Sequence, residues 1–380
     1  SEMAVFVIDP QGEFAKDAKG QVRTEGFPLN LEAIFKNMHK RVIVKSIKDL
    51  VLDRWDLFGE ILYESAFFER LTVPAGDNRR IACDILIEKL PKNKVRINDL
   101  YTRSAFETAW KIISDPSVQR QIYKSDPART RFNSAIEEAD TDEFFNIHWA
   151  PIAKLFRRDR SGAISVDALI HQTFDLDGSN RPVVIIDLSK ETAKDLFWNE
   201  TIQALVIKRL LDAVVRVAET AFIENNYLNT LVVLDEAHRL APREKFDDER
   251  QERVRRALID AVRTTRKYGL GWMFISQTLS SLHREIINQL RILFFGFGLA
   301  LGTEFMSLKE IIGGDPNALK LYQTFRDPHS AFDVASRQYS FMSVGPVSPL
   351  SFAGSPLFFT AFNSPGEFFS ANKLKASSGS

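Results

Sequence analysis

Four consecutive apolar residues, Leu231 to Leu234, stand directly ahead of Asp235-Glu236-Ala237-His238. A run this short and rich in β-branched valine predicts a strand buried on both faces, as in a parallel sheet. The same pattern, apolar run then polar turn, recurs along the chain. Ala4 to Ile8 precedes Asp9-Pro10-Gln11-Gly12-Glu13-Phe14, Val183 to Ile186 precedes Asp187-Leu188-Ser189, and Trp272 to Ile275 precedes Ser276-Gln277-Thr278. Helical periodicity fills the intervals: a long amphipathic helix from about Glu191 to Asn225, and another that follows the charged loop Ala241 to Glu249 and runs to about Tyr268. On the second, Val254, Leu258, Ala261, Val262 and Thr265 share one face, Arg255 and Arg266 flank it, and Arg256 and Arg263 lie opposite. Gly269 predicts its stop. A helix from about Ser281 to Leu290 then leads into a strand from Ile292 to Phe297. This alternation predicts an α/β fold with a mostly parallel, doubly wound sheet.

Between about Phe27 and His171 strand-like runs are scarce and helical spacing dominates. Leu57, Ile61, Leu62 and Phe68 fit one amphipathic face; Phe144, Ile147, Ile152 and Phe156 do so less regularly. Asp115-Pro116 and Asp126-Pro127 predict helix starts, the acid capping and the proline in the first turn. The expected organisation is a core formed by 1–26 and 172–380, interrupted by an inserted helical subdomain over 27–171. The aromatic residues of the insertion are expected in its core. From about Ser330 the tail has short extended runs broken by Gly and Pro.

Composition changes this picture in three ways. The 50 basic residues balance the 50 acidic ones, so no bulk field draws the chain to nucleic acid, and any DNA contact must be local. The single cysteine, Cys83, excludes an intramolecular disulfide framework and suits a reducing cytoplasm. No apolar run is long enough for a membrane-spanning helix, and no membrane partner is expected.

In open α/β sheets ligands bind beyond the carboxyl ends of the strands. The residues expected there are Asp9 with Glu13, Asp187, Asp235 with Glu236, and Gln277. In a nucleotide hydrolase the first carboxylate of an Asp-Glu pair holds Mg²⁺ and the second deprotonates the attacking water. A strand-end glutamine can position that water, because it both donates and accepts. The same pattern also arises where a buried strand ends in a solvated acidic turn.

The motifs together resemble the HerA group of hexameric DNA-translocating ATPases, relatives of FtsK and of conjugative-transfer ATPases. The resemblance rests on Val7-Ile8-Asp9-Pro10-Gln11-Gly12-Glu13-Phe14, Val184-Ile185-Ile186-Asp187-Leu188-Ser189, Val233-Leu234-Asp235-Glu236-Ala237-His238-Arg239-Leu240, Arg266-Lys267-Tyr268-Gly269-Leu270-Gly271 and Ile275-Ser276-Gln277. It implies a RecA-like P-loop NTPase core, ATP and Mg²⁺ at sites shared between subunits of a homohexamer, and duplex DNA in the central pore. It makes Asp235 the Mg²⁺ acid, Glu236 the catalytic base, Gln277 the sensor and Arg266 the transition-state cation, in the same or the adjacent subunit. Asp9, Glu13 and Asp187 fall on the cofactor side. In such a ring Arg243, Lys245 and Arg284, in loops that follow strands, are candidate DNA contacts. The implied partner is a NurA-like nuclease or another effector, in DNA-end processing or antiphage defence.

The sequence departs from the family in one respect: it contains no Gly-x-x-x-x-Gly-Lys-Ser/Thr and no Gly-Lys dipeptide. In the family that phosphate-cradling loop precedes the Asp9 strand, so it is expected upstream of residue 1. The alternatives are a non-catalytic, ring-forming scaffold for an effector and, more distantly, a kinase-like or transferase enzyme. Residues 1–380 by themselves are accordingly expected to hydrolyse ATP weakly or not at all, since a loop of backbone N–H groups and a lysine is what clamps the phosphates. A steady-state phosphate-release assay with and without DNA checks this; robust DNA-stimulated turnover would contradict it.

Overall fold

The computed structural model describes residues 3–14, 41–174, 181–313, 315–333, 336–348, 355–363 and 365–373. The chain divides into two compact units, one of Ser1–Val44, Phe174–Ile185 and Val215–Ser380, the other of Lys45–Thr173 and Ile186–Val214. The expected domain boundary at 26/27 lies outside the described residues, and that at 171/172 falls in the last turn of the helix Val166–Thr173.

Ten strands are described: β1 (Ala4–Asp9), β2 (Val42–Ser46), β3 (Leu50–Val51), β4 (Ile164–Ser165), β5 (Val183–Asp187), β6 (Thr230–Leu234), β7 (Leu270–Phe274), β8 (Leu293–Phe295), β9 (Tyr339–Val344) and β10 (Leu357–Ala361). The fold is α/β, with a central five-stranded parallel sheet in the order β2-β5-β1-β6-β7. Its middle is as apolar as the sequence required: β5 is buried at every position and β6 at all but Leu231. The register pairs Val7 with Val233 and Ile8 with Leu234, then Leu234 with Phe274, so β1, β6 and β7 end side by side.

Two strand expectations are corrected. β2, inside the stretch read as helical, is a strand of the central sheet; it occupies an edge, its residues are only half-buried, and it lacks the long apolar run that marks a central strand. The strand expected over Ile292 to Phe297 is shorter and lies in a separate antiparallel sheet, β10-β9-β8, not in the parallel one. An apolar run does not encode the direction of its partner. There Phe295 and Met342 pack on Leu308, Leu319 and Tyr322.

The helix expected from Glu191 begins at Glu200. Asp195 adopts a left-handed backbone, and Asn199 Oδ1 accepts from Ile202 N at 2.9 Å, capping the later start. The helix Glu249–Thr264 is as read, with Val254, Leu258, Ala261 and Val262 buried; Thr265, also buried, opens the 3₁₀ turn that follows it. Arg255 is buried too, because both its Nε and Nη2 bond to Glu252, at 2.7 and 2.6 Å.

The second unit is helical and aromatic at its centre. Phe58, Phe67, Phe106 and Trp149 are buried there, with Trp149 edge-on to Phe58 at 5.6 Å, and Trp149 Nε1 donates to Leu100 O at 2.7 Å. Arg209 is buried between Asp53 and Asp167. Asp115 caps its helix through Ser117 N, whereas Asp126 sits inside the first turn behind Ser125. Ile147 is exposed, because Phe144–Trp149 is a π-helical turn that rotates it off the apolar face. No helix among the described residues is long and apolar enough to cross a membrane.

Gly269 ends the helical segment with φ near +77°, and a Cβ there would lie 3.0 Å from Leu228 N and 3.2 Å from Asn229 N. Gly269→Ala is therefore expected to destabilise the first unit by about 1–3 kcal/mol, from left-handed strain plus a backbone clash. Gly313→Ala, at φ near +68° with nothing within 4 Å, should lose less. Denaturant unfolding monitored by circular dichroism compares the two.

Candidate active site

The turn after β6 is pinned on both sides. Asp235 N donates to Ile8 O at 3.2 Å, and Ala237 N donates to Ile275 O at 3.0 Å, extending the ladder beyond the last strand residue. Between those bonds Glu236 takes a left-handed backbone, φ 49° and ψ 38°, unusual for a residue with a side chain. Its carboxylate is buried and lies between two neighbours. Gln277 Nε2 donates to Glu236 Oε1 at 2.9 Å, and His238 Nε2 lies 3.6 Å from Oε2. Glu236 and Gln277, both expected at strand ends in one site, are in direct contact.

His238 is itself held. Ser276 Oγ donates to Thr278 O at 2.7 Å, which leaves it to accept from His238 Nδ1 at 3.1 Å. In that arrangement the neutral ring carries its proton on Nδ1, and Nε2 attracts the Glu236 carboxylate only as imidazolium. His238 and Ser276 each follow a strand-end apolar run, and no local signal pairs them, because the contact joins residues 38 apart.

Asp9 is fully buried and builds the neighbouring loop: Oδ1 accepts from Gly12 N at 2.7 Å and Glu13 N at 3.1 Å, and Oδ2 accepts from Phe14 N at 2.9 Å. The loop carries exposed Glu13. Asp235 is also buried, and burial pushes its carboxyl up to about 7, with repulsion from Asp9, Glu236 and Glu13 adding to the shift and a bond from the Glu236 backbone opposing it. Asp187, in the second unit, is buried at the end of β5, where its Oδ1 accepts from Ser189 N at 2.9 Å and Thr192 Oγ1 at 3.4 Å.

The donor set fits Mg²⁺. The oxygens around Asp235 are hard carboxylate donors, and a divalent cation would relieve the repulsion that raises its carboxyl. Among the described residues no three His, Cys, Asp or Glu converge as a metal cage.

Arg266 is elsewhere. It is an exposed residue of the turn Thr265–Tyr268, ahead of β7, whereas Gln277 follows that strand. Five strand residues put the two ends roughly 17 Å apart, so Arg266 does not reach its own Glu236. Arg263, opposite, lies 3.5 Å from Glu285. The two candidate DNA loops do meet: Pro242 and Leu282 form an antiparallel bridge, Arg243 N donates to Ser281 O at 2.7 Å, and His283 N donates to Ala241 O at 2.9 Å. Arg243, Lys245 and Arg284 are all exposed.

Asp235 also predicts a pH signature. Its folded pKa of about 7 exceeds the ordinary 3.8, so the native state binds the extra proton more tightly. The associated stability is complete below about pH 4 and lost as pH rises through 7, on the order of 2–4 kcal/mol. Asp235→Asn should remove this dependence and melt higher than the parent at pH 8 without Mg²⁺. Thermal melts from pH 5 to 8 check it; parallel curves for the two proteins would contradict the burial of a raised carboxyl.

No family model and no curated protein sequence matches the chain. Among solved structures it is similar to the genome packaging NTPase B204 from Sulfolobus turreted icosahedral virus 2 in complex with ATP-gammaS, with 14% identity, 53% of this chain and 72% of that one covered, and a TM-score of 0.33. It is also similar to the plasmid coupling protein TrwB in complex with the GTP analogue GDPNP, with 12% identity, 96% and 80% covered, and a TM-score of 0.32. The trigonal form of the bacterial conjugative coupling protein TrwBdeltaN70 with sulphate gives 12% identity, 99% and 81% covered, and a TM-score of 0.33.

Proposed function

We propose that this chain is a RecA-like ATPase subunit that drives duplex DNA through the pore of a homohexameric ring in the cytoplasm, together with a NurA-like nuclease or another effector. The observation that carries the reading is the contact between Gln277 Nε2 and Glu236 Oε1 at 2.9 Å, at the carboxyl edge of a parallel sheet and next to buried Asp235. A carboxylate held in place and screened from bulk water is what a general base for water attack requires. Gln277, with its amide nitrogen committed to Glu236, keeps its carbonyl to accept from the attacking water. Asp235 would hold Mg²⁺, which supplies charge neutralisation on the phosphates when bound. Asp9 shapes the loop that presents Glu13 to the same side, and Asp187 stands at the end of its own strand as a further nucleotide-side acid. Arg266, too far from its own Glu236, acts on the neighbouring subunit's nucleotide. Arg243, Lys245 and Arg284 contact DNA phosphates.

A mixing experiment tests the reading. In any form of the chain that turns over ATP, Glu236→Gln should bind ATP but lose about 10²-fold or more in rate. Arg266→Ala should lose roughly 10³ to 10⁵ if it acts as a trans cation. Mixed rings of the two variants should regain part of the lost activity, because some interfaces unite a wild-type Glu236 with a wild-type Arg266. Mixing that restores nothing refutes the trans role, and a Glu236→Gln protein with parental turnover refutes the base. A strictly monomeric protein by mass measurement, with nucleotide and DNA present, overturns the motor and the ring-scaffold readings together.

A further inference from the structure

The stitched loops form one wall of a cleft of about 610 Å³, and the helix Gly302–Ile311 forms the other. Its lining includes the cations Arg243, Arg284 and Lys309, the hydroxyls of Thr303 and Ser307, and the carboxylate of Glu310. A second hollow of about 430 Å³ shares Arg243, Ser280, Arg284, Ser307 and Glu310 with it. Thr303, Met306, Ser307 and Glu310 recur at helical spacing, so one helix face is turned to the cleft. Three cations stand against one lining carboxylate, Glu310, and that carboxylate is bonded to Arg284 Nη2 at 3.1 Å. The turn between the walls is fixed by Glu304, whose carboxylate accepts from Leu279 N at 2.8 Å, Ser280 N at 3.0 Å and the Ser280 hydroxyl. These amides and this hydroxyl already hold one anionic group.

We infer that the cleft binds the sugar-phosphate backbone of nucleic acid and that the Gly302–Ile311 helix supplies its second wall, with Lys309 as the phosphate cation and Thr303 and Ser307 as hydroxyl donors. The inference rests on the DNA-translocase reading and adds an element that the loops alone did not suggest. A cationic cleft lined with hydroxyls suits phosphodiesters, and half-apolar Met306, 63% exposed, suits the sugars between them. In a chain of zero net charge this local excess is what a backbone would feel.

Fluorescence anisotropy with a labelled duplex across a salt series, on the full chain, tests it. Lys309→Ala should weaken binding by about 3- to 10-fold and flatten the salt slope by about one unit, and Lys309→Glu should weaken it further. Lys92→Ala, the same charge change on an exposed helix of the other unit, should alter neither. Competition by pyrophosphate at equal phosphate concentration would assign the cleft to free phosphates and overturn the backbone assignment. Unchanged affinity and slope in both Lys309 variants would overturn the inference alone, if the triple Arg243→Ala, Lys245→Ala, Arg284→Ala variant still binds less. A parent chain that binds no duplex at the lowest salt overturns the inference and the DNA reading together.

Discussion

The site depends on a parallel ladder that does not stop where β6 stops. Because Asp235 N bonds to Ile8 O and Ala237 N bonds to Ile275 O, the turn after β6 is held from both neighbouring strands at once. An ordinary strand end would let the chain relax into solvent. Here the two bonds fix the peptide units on either side of Glu236 and leave it the left-handed conformation, a strain the surrounding hydrogen bonds outweigh. The same ladder sets the ends of β1 and β7 level with that turn, so Asp9 and Gln277 arrive beside it through register alone.

Electrostatics then works against the ladder. Burying Asp235 near Asp9, Glu236 and Glu13 concentrates negative charge in a place that water reaches poorly, and the proton near neutrality on Asp235 is the consequence. Asp9 gives both its oxygens to three backbone N–H groups. Glu236 has Gln277 on one side and the His238 ring on the other. Asp235 has the least help, which marks it as the position where an added cation gains the most.

From Gln277 to His283 the chain makes a run of dissimilar contacts in a short span. Gln277 touches Glu236, Leu279 and Ser280 give their amides to Glu304, and Ser281, Leu282 and His283 close on the segment Ala241 to Arg243. One segment therefore borders both the buried carboxylates and the cationic cleft. The helical unit keeps to a different principle: Phe58 and Phe106 stand edge-on to buried Trp149 and a buried arginine lies between two carboxylates, while Trp55, Tyr63, Tyr101, Trp110 and Phe145 are only half-buried.

Short apolar runs followed by polar turns were enough to place β1, β5, β6 and β7 and to put Asp9, Asp187, Asp235, Glu236 and Gln277 at or just beyond strand ends, because burial on both faces demands continuous apolar sequence and the chain turns polar where it leaves the sheet. The apolar face of Glu249–Thr264 and the Gly269 stop were legible for the same local reason. Weaker local signals misled: edge strand β2 carries too little apolar sequence to stand out, β8 does not encode its antiparallel partner, and the π-helical turn breaks the spacing that would bury Ile147. What only the tertiary structure decided is pairing across distance. The Glu236–Gln277 and His238–Ser276 contacts, the hold of Glu304 on Leu279 and Ser280, and the place of Arg266 at the far end of β7 all follow from strand register and crossover, and these are set by whole-sheet packing that no window of sequence contains.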